Sequence, residues 1–310
     1  MNAGPSSCDL WSWGGRHNGS RGDLPPPLNG PPAPHLPHPD QELTCEHLHV
    51  SPFERRALGG GAHALVSVEL ERAGFLAAFA ERTGGTSGAP FRSLNVSFSV
   101  GDDPNAVATN RGRVTRAFGI RSFAVPGLVH GTTILPIGPA RAGDGFLGPA
   151  DALHAADGLQ TKRAGLPLAG FSADCVIAVM AAPAEGRVAL VHAGWRGMAA
   201  GILQKAAALF GDPGQVMVAV GPAIGPCHYE VGEDVARAVD AASPAGAVTE
   251  RRDGHRYLDL VATTAAILGE LGVRRVQDTG LCTACEAGRF FSFRNEGSTG
   301  RHLALAMRLE

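Results

Sequence analysis

The sequence has 310 residues, of which 44% are hydrophobic and 18% charged, so it can bury the core of one large domain or two smaller ones. Its 27 basic and 29 acidic side chains give a formal net charge of −2. Because no region is strongly basic, this argues against nucleic acid as the main partner and favours a small molecule. Six cysteines are too few for a disulfide framework in a chain of this length, and no apolar run could cross a membrane. We therefore expect a cytoplasmic protein.

The N-terminal region differs in composition from the rest of the chain. Prolines crowd residues 24–32, and proline cannot occupy a helix interior or a central strand. We therefore predict a largely disordered extension over residues 1–60, followed by a single domain over residues 61–310.

Helix and strand patterns then alternate along the chain. Asp102-Asp103-Pro104 predicts a helix start, because an acidic cap followed by proline suits a helix N-terminus, and this helix should end near Phe118. Strands are predicted at residues 64–68, 79–87 (running into a glycine turn), 93–101, 122–125, 129–137, 176–180, 188–191, 216–220 and 303–309. Helices are predicted at residues 198–210, 233–242 and 259–271. This interleaving indicates a mixed α/β fold.

The most informative motif is Val-His-Ala-Gly-Trp-Arg-Gly, which contains His192. It joins a predicted buried strand to a predicted helix, and α/β proteins place chemistry at such turns because the side chains point into a crevice from rigid supports. Two further candidates lie at predicted strand edges: Cys175 in Ser-Ala-Asp-Cys and His130 in Val-His-Gly. One thiol and two imidazoles could form a three-ligand zinc site with an open fourth position.

Spacing alone supports this site weakly, because the three positions form no compact local motif. A cysteine beside an apolar strand is usually a small core residue, and both histidines could be satisfied in a core. Cys282-x-x-Cys285 is the one pair with local ligand spacing. A zinc ribbon needs a second such pair and a redox motif needs a helix N-terminus, so we interpret this pair as structural or incidental.

Together, the motifs resemble those of the YfiH family, long described as multicopper polyphenol oxidase or laccase-domain proteins. The resemblance runs from about Phe79 to Leu309. Besides the three motifs above, it includes Arg-Thr-Gly-Gly-Thr-Ser (82–87), Leu-Asn (94–95), Gly-Asp-Asp-Pro (101–104), Asn-Arg (110–111), Gly-Pro-Ala-Ile-Gly (221–225), Tyr-Glu-Val (229–231), Phe-Ser-Phe-Arg (291–294) and Thr-Gly-Arg (299–301). The resemblance implies a layered α-β-β-α fold with mixed sheets, which differs from a doubly wound sheet.

Members of the family are described as zinc-dependent purine nucleoside phosphorylases, and in some bacteria as peptidoglycan editing factors. The resemblance therefore implies that His130, Cys175 and His192 bind zinc. It also implies purine nucleosides (adenosine, inosine, guanosine, methylthioadenosine) and phosphate as substrates, with adenosine deamination as a second activity. Copper is not expected, because multicopper oxidases need a histidine-rich trinuclear cluster and no paired His-x-His motif is present beyond residue 100.

Phosphorolysis also needs an anion site. We predict Arg111 for this role, with Arg82 as the second choice, because the guanidinium fork matches a phosphate. Asp174 could orient a ligand or move a proton, or could only cap a turn. Asn95 could bind substrate or only hydrogen-bond within a turn. Leu128 stands where the family usually has glutamine, which leaves the substrate preference open.

Three alternative functions stay open at this point. The first is hydrolytic removal of misincorporated serine from a nucleotide-linked muramyl precursor of the cell wall. The second is a non-enzymatic metal-binding protein, and the third is a cysteine hydrolase with Cys175 as nucleophile and a histidine as base. The sequence does not determine the oligomeric state.

Overall fold

The computed structural model describes residues 52–149, 153, 155–242 and 249–310. Most of the predicted disordered extension, residues 1–51, lies outside these ranges. The folded domain nevertheless begins before residue 61, because Phe53–Gly59 forms the first strand, β1. β1 pairs with the next strand through a turn at Gly59, Gly60 and Gly61, all with left-handed φ. Within the described ranges, no helix has the length and apolar character needed to span a bilayer.

The first large sheet has five strands in the order β1-β2-β3-β14-β6, and all neighbours are antiparallel. A short helix, α1 (Val68–Arg72), connects β2 to β3. The strands that join β1 in this sheet are β2 (Ala62–Ser67), β3 (Phe75–Ala80), β6 (Leu168–Ser172) and β14 (His302–Arg308).

The second large sheet is mixed, in the order β13-β9-β7-β8-β5-β4, with parallel pairs at both edges and antiparallel pairs at the centre. Its strands are β4 (Ile134–Pro136), β5 (Gly158–Thr161), β7 (Val176–Ala182), β8 (Arg187–Ala193), β9 (Met217–Val220) and β13 (Arg275–Asp278). A small third sheet contains β10 (Glu230–Val231), β11 (Thr249–Arg252) and β12 (His255–Leu258).

Strand β7 shows how the layers stack. Ile177 and Val179 pack in the core between the two large sheets. Their neighbours Val176, Ala178 and Met180 pack instead with the helices on the other side of the second sheet. Because both faces of β7 are buried, its sequence is a continuous apolar run without alternation. The helices on this side are α3 (Trp195–Ala199), α4 (Ile202–Ala207), α5 (Glu233–Asp240) and α6 (Leu260–Glu270).

On the far side of the first sheet, Val114 of α2 (Pro104–Ala117) packs against strand residues such as Leu305. The layers therefore follow the order helix, sheet, sheet, helix, which confirms the predicted α-β-β-α fold. The start of α2 is also confirmed, since the Asp103 carboxylate accepts a hydrogen bond from the Asn105 backbone N–H.

Several element predictions are wrong for local reasons. Residues 93–101 form no strand but an irregular segment that ends in a 3₁₀ turn, Phe98–Val100, capped by Ser97. Residues 122–125 make only an isolated bridge from Ala124, and β4 is the one strand within 129–137. The single helix predicted at 198–210 is divided into α3 and α4, because Gly201 between them has a left-handed φ of 85°.

Leu190 on β8 is fully buried between the two large sheets. We expect Leu190→Ala to lower the free energy of unfolding by about 2–5 kcal/mol, because lost apolar burial and the residual cavity both destabilise the fold. Leu147→Ala is the matched control, since Leu147 is 80% exposed, and its effect should stay within about 0.5 kcal/mol. Urea unfolding measures both. Equal losses in the two variants would contradict the core between the sheets.

Candidate active site

Three donor side chains from separate elements meet at one end of the second sheet. His192 lies near the end of β8, Cys175 directly precedes β7, and His130 lies in the loop before β4. Antiparallel pairing of β7 with β8 sets Ile177 opposite His192, which brings the thiol and the imidazole to the same edge. The ligand atoms of all three residues lie within 4.8 Å of one another. The structure thus brings together the three residues for which the resemblance implies zinc binding.

Gly194 leaves room for this cluster. A Cβ at this position would lie 2.8 Å from the Cys175 sulfur and 3.1 Å from His130 Cδ2, closer than nonbonded atoms normally approach. Any side chain here would therefore displace two of the three donors. This contact explains why glycine follows His192-Ala193 in the motif.

Asp157 holds both histidines in place, although the sequence analysis did not select it. Its buried carboxylate accepts hydrogen bonds from His192 Nδ1 at 3.0 Å and from the backbone N–H groups of His130 and Gly131 at 2.9 and 2.7 Å. Because Nδ1 of His192 is engaged, Nε2 is the nitrogen left to bind a metal. A lone Asp before a glycine at a strand start carries no local signal for this role.

Electrostatics within the cluster favour a thiolate. Burial by itself raises the pKa of the Cys175 thiol, but hydrogen bonds to His130 and His192 outweigh it and lower the pKa to about 6. Burial conversely lowers the pKa of His192, but the hydrogen bonds to Asp157 and Cys175 raise it to about 9. Both shifts favour a thiolate beside an imidazolium, and the thiolate is the form that binds metals.

The three donors open into a cavity of about 730 Å³, within the size range of small-molecule sites. Among the described residues that line it, Asp174 is the one carboxylate. Its cationic lining consists of Arg111, Arg196, Arg294 and Arg301, and its aromatic lining of Phe98, Phe171, Trp195, Tyr229 and Phe293. The cavity therefore combines a metal-type donor set, an excess of positive charge and flat surfaces on which a ring can stack.

Arg111 is 2% exposed and carries no salt bridge within the described part of the chain. Nε and Nη1 donate to backbone oxygens, including that of Val96 at 2.7 Å and that of Gly145 at 2.6 Å. The guanidinium also lies 4.5 Å above the Phe98 ring and 4.9 Å from that of Phe171. Burial lowers the pKa of Arg111 to about 9, so an anion in the cavity would stabilise its charge.

Asp174 lines the cavity, but both of its carboxylate oxygens are engaged. Oδ1 accepts from the Thr283 hydroxyl and Oδ2 from the Arg294 backbone N–H, each at 2.7 Å. The residue has a left-handed φ of 104°, which is strained for a non-glycine residue. These contacts tie the short helix α7 (Phe293–Glu296), which carries Arg294, to the start of β7, so they support an orienting role more than proton transfer.

The structure does not bring Arg82 or Asn95 into the cavity. The Arg82 guanidinium forms a two-point ion pair with Glu296 at 2.6 and 3.0 Å. Asn95 is fully buried; its Nδ2 donates to Asp102 and its Oδ1 accepts from the Arg301 backbone N–H at 2.9 Å. The hydrogen-bonding groups of both side chains are engaged by other protein groups. Arg82 and Asn95 therefore stabilise the segments that form the cavity wall and do not line the cavity themselves.

The cavity lining also includes two arginines, Arg294 and Arg301, that the sequence presents only as the last residues of two family motifs. The Arg294 guanidinium lies 4.8 Å from the Tyr229 ring, and its Nη1 donates to a backbone oxygen at 2.6 Å. Burial lowers the pKa of Arg301. The motifs Phe-Ser-Phe-Arg and Thr-Gly-Arg contain these two arginines, so the signal was present, although nothing in the sequence shows that they face His192.

A second donor cluster lies outside this cavity lining. The ligand atoms of Cys227, His228, Cys282 and Cys285 lie within 4.8 Å of one another, so the Cys-x-x-Cys pair has partners. Sequence reasoning missed them because a cysteine followed directly by a histidine does not have the spacing of a second Cys-x-x-Cys. The four side chains together suggest a metal site.

Comparison with known proteins agrees with the fold and the motifs. The family model described as "Multi-copper polyphenol oxidoreductase laccase" matches residues 76–309. Purine nucleoside phosphorylase YlmD from Geobacillus stearothermophilus is 38% identical over 251 residues, which cover 77% of this chain and 92% of that protein. Purine nucleoside phosphorylase YfiH from Escherichia coli is 33% identical, with coverage of 74% and 91%.

Solved structures show the same architecture. The crystal structure of YlmD from Geobacillus stearothermophilus superposes with a TM-score of 0.79 at 35% identity, over 84% of this chain and all of that one. YfiH from Bacillus licheniformis superposes with a TM-score of 0.76 at 29% identity, over 84% and 99%. With the fold, the ordered motifs and the family model in agreement over most of its length, the chain belongs to the multi-copper polyphenol oxidoreductase laccase family, the YfiH family that its sequence resembles.

Proposed function

We propose that the chain is a zinc-dependent purine nucleoside phosphorylase, with adenosine, inosine, guanosine and methylthioadenosine as the nucleoside class and phosphate as the second substrate. One observation carries the proposal: the three-donor cluster and four arginines line the same cavity. The relatives support it, since YlmD and YfiH both bear the name purine nucleoside phosphorylase.

The donor chemistry of His130, Cys175 and His192 fits zinc. Catalytic zinc sites use three protein ligands from His, Cys and carboxylates and keep a fourth position for a reactant. Asp157 supplies the outer carboxylate that commonly fixes a metal-binding histidine. A four-copper oxidase fits poorly, because the two donor clusters within the described residues contain three histidines between them, too few for a trinuclear copper centre.

In phosphorolysis, a phosphate oxygen bonds to the ribose C1′ while the bond from C1′ to the purine nitrogen breaks. The purine leaves with the bonding electrons and takes up a proton. A zinc ion bound here would supply Lewis acidity that polarises a substrate oxygen or nitrogen. The protein would hold the phosphate with Arg111 and its neighbouring arginines, and would stack the purine on aromatic residues such as Trp195 and Tyr229.

Asp157 and Asp174 have positioning roles in this proposal. Asp157 sets the direction of His192 and the loop of His130. Asp174 orients the helix of Arg294 by accepting a hydrogen bond from the Arg294 backbone N–H. Arg82 and Asn95 act one layer further out, since Asn95 holds the backbone of Arg301 and the Arg82 guanidinium also donates to the backbone oxygen of Phe290.

The arginines favour phosphorolysis over deamination, because water needs no cationic subsite. Adenosine deamination and hydrolysis of a serine-containing muramyl precursor would use the same donors with water in place of phosphate. Both stay predictions, and the phosphate dependence of product release separates them from phosphorolysis.

Cys175→Ala tests the proposed activity. Wild-type protein with zinc should release free base from adenosine or inosine only when phosphate is present, together with ribose 1-phosphate. Cys175→Ala should lower kcat/KM by at least about 100-fold, because a three-ligand site loses its thiolate. Chromatography of the products measures both. Base release without phosphate, or an unchanged rate in a folded variant, would contradict the proposal.

Asp157→Asn tests how the histidines are held. An amide keeps the shape but loses one acceptor oxygen and the charge, so zinc affinity should fall by about 10–100-fold. The matched control is Asp144→Asn, because Asp144 pairs with Arg141 at the surface and does not touch the cluster; its affinity should not change. Competition with a chelating dye measures zinc affinity. Equal affinities in both variants would show that Asp157 does not orient the ligands.

Arg111→Lys tests the phosphate subsite. Lysine keeps a positive charge but not the fork of donors, so the KM for phosphate should rise at least about 10-fold while the KM for nucleoside changes little. Arg141→Lys, at a half-exposed position, is the control. Steady-state kinetics with each substrate varied separately give the two values. A rise confined to the nucleoside KM would place phosphate elsewhere in the cavity.

A further inference from the structure

We propose that Cys227, His228, Cys282 and Cys285 form a second zinc site, which is structural and four-coordinate and joins two loops of the cavity wall. The site is separate from the three-donor cluster and shares no residue with it.

The spacing of the donors matches a tetrahedron around one ion. Cys227 Sγ lies 3.5 Å from Cys285 Sγ and 3.3 Å from His228 Nδ1, and that nitrogen lies 3.5 Å from Cys285 Sγ and 3.8 Å from Cys282 Sγ. Zinc bonds of about 2.3 Å to sulfur and about 2.05 Å to nitrogen give tetrahedral edges of roughly 3.8 Å and 3.6 Å. These four edges lie within about 0.3 Å of the zinc values, and all four donor atoms lie within 4.8 Å of one another, so the group fits a shared zinc ion.

The same distances argue against a disulfide. A disulfide holds its sulfur atoms about 2.05 Å apart, whereas Cys227 and Cys285 are separated by 3.5 Å. A disulfide would also leave the third thiol and the imidazole without a function, although both lie within the same group. The Gly225 backbone N–H donates to Cys282 Sγ at 3.2 Å, a contact that stabilises a negatively charged sulfur.

The ligand set indicates a structural role. Three cysteines and one histidine fill all four positions of a tetrahedral zinc ion, so no position stays open for a reactant. The His130, Cys175 and His192 cluster differs in this respect, since it has three donors and opens into the cavity. The two clusters thus correspond to the closed and open types of zinc site.

The four donors come from two loops that both continue into the cavity wall. Tyr229 follows His228 directly and lines the cavity. On the other loop, Thr283 follows Cys282, and its hydroxyl donates to Asp174, the neighbour of Cys175. A backbone hydrogen bond from Thr283 to Ala223, at 3.0 Å, already links the loops. A zinc ion would add a second, stronger link between the two loops. It would thereby fix the position of Tyr229 relative to that of Asp174.

The metal content of purified protein tests the second site. Wild-type protein prepared in zinc and reductant should hold two zinc ions per chain, and Cys175→Ser should hold one. Cobalt loaded into Cys175→Ser should give an intense thiolate-to-metal absorption band, because its remaining site has three sulfur ligands. Elemental analysis and the absorption spectrum are both independent of enzyme activity.

Paired substitutions locate that ion. His228→Ala and Cys285→Ser should each lose one zinc ion and lower the Tm by at least about 5 °C, because metal binding contributes directly to folding free energy. His228→Cys should keep two ions, since four thiolates also bind zinc. His255→Ala is the control; His255 is an exposed histidine outside the cluster that pairs with Glu230, and its loss should leave both ions bound.

Either of two outcomes would overturn the second site. One is a single zinc ion in wild-type protein that disappears completely in Cys175→Ser. The other is a mass 2 Da below that of the reduced chain, with a Cys227–Cys285 disulfide found by peptide mapping. A protein that holds two zinc ions but does not cleave nucleosides would instead contradict the phosphorylase proposal and leave this one standing.

Discussion

Burial of β7 and β8 on both faces is the constraint on which the rest of the structure depends. Their alternate residues pack into the core between the two large sheets and into the core beneath the helices. A shift of either strand by one residue would exchange these two faces and disrupt close packing on both sides, so packing fixes their register. Cys175 and His192 lie at the same end of this pair, and the fixed register keeps their donor atoms together.

Asp157 connects the strands of the second sheet to the loop that contains His130. It directly precedes β5, which pairs with β8, and its carboxylate binds both the His192 ring and the backbone beside His130. The backbone N–H groups of His130 and Gly131 thereby anchor a histidine in an irregular loop to the strand framework. The carboxylate also favours the charged form of His192 in the absence of metal, which partly compensates the thiolate of Cys175.

The charges that line the cavity favour an anion. Within the described part of the chain, four arginines and one carboxylate line it, and that carboxylate, Asp174, accepts hydrogen bonds from Thr283 and Arg294. The cavity is therefore complementary to an anion as well as to a flat ring. Asp174 also connects the two donor clusters, because Thr283 is adjacent to Cys282 and Asp174 is adjacent to Cys175. One hydrogen bond thus links the loop of Cys282 to the residue beside Cys175.

Much of the architecture follows from local patterns that the sequence displays. The apolar runs of β7, β8 and β9, the acidic cap of α2 and the ordered motifs are visible in the sequence, and the motifs led to the family and to its layered fold. These features are readable because strand burial and helix capping depend on residues that are close together in the chain.

Only the tertiary structure decided which distant residues share a site. Several site contacts join residues that are tens of residues or more apart in the chain. They include the contact of Asp157 with His192, the contacts that hold Arg82 and Asn95 inside the protein, and the association of Cys227 and His228 with Cys282 and Cys285. The sequence by itself determined the secondary structure at its most regular points and the family. Strand pairing and loop packing determined which side chains meet, because hydrogen bonds and metal-type clusters depend on distance in space, which local sequence patterns do not encode.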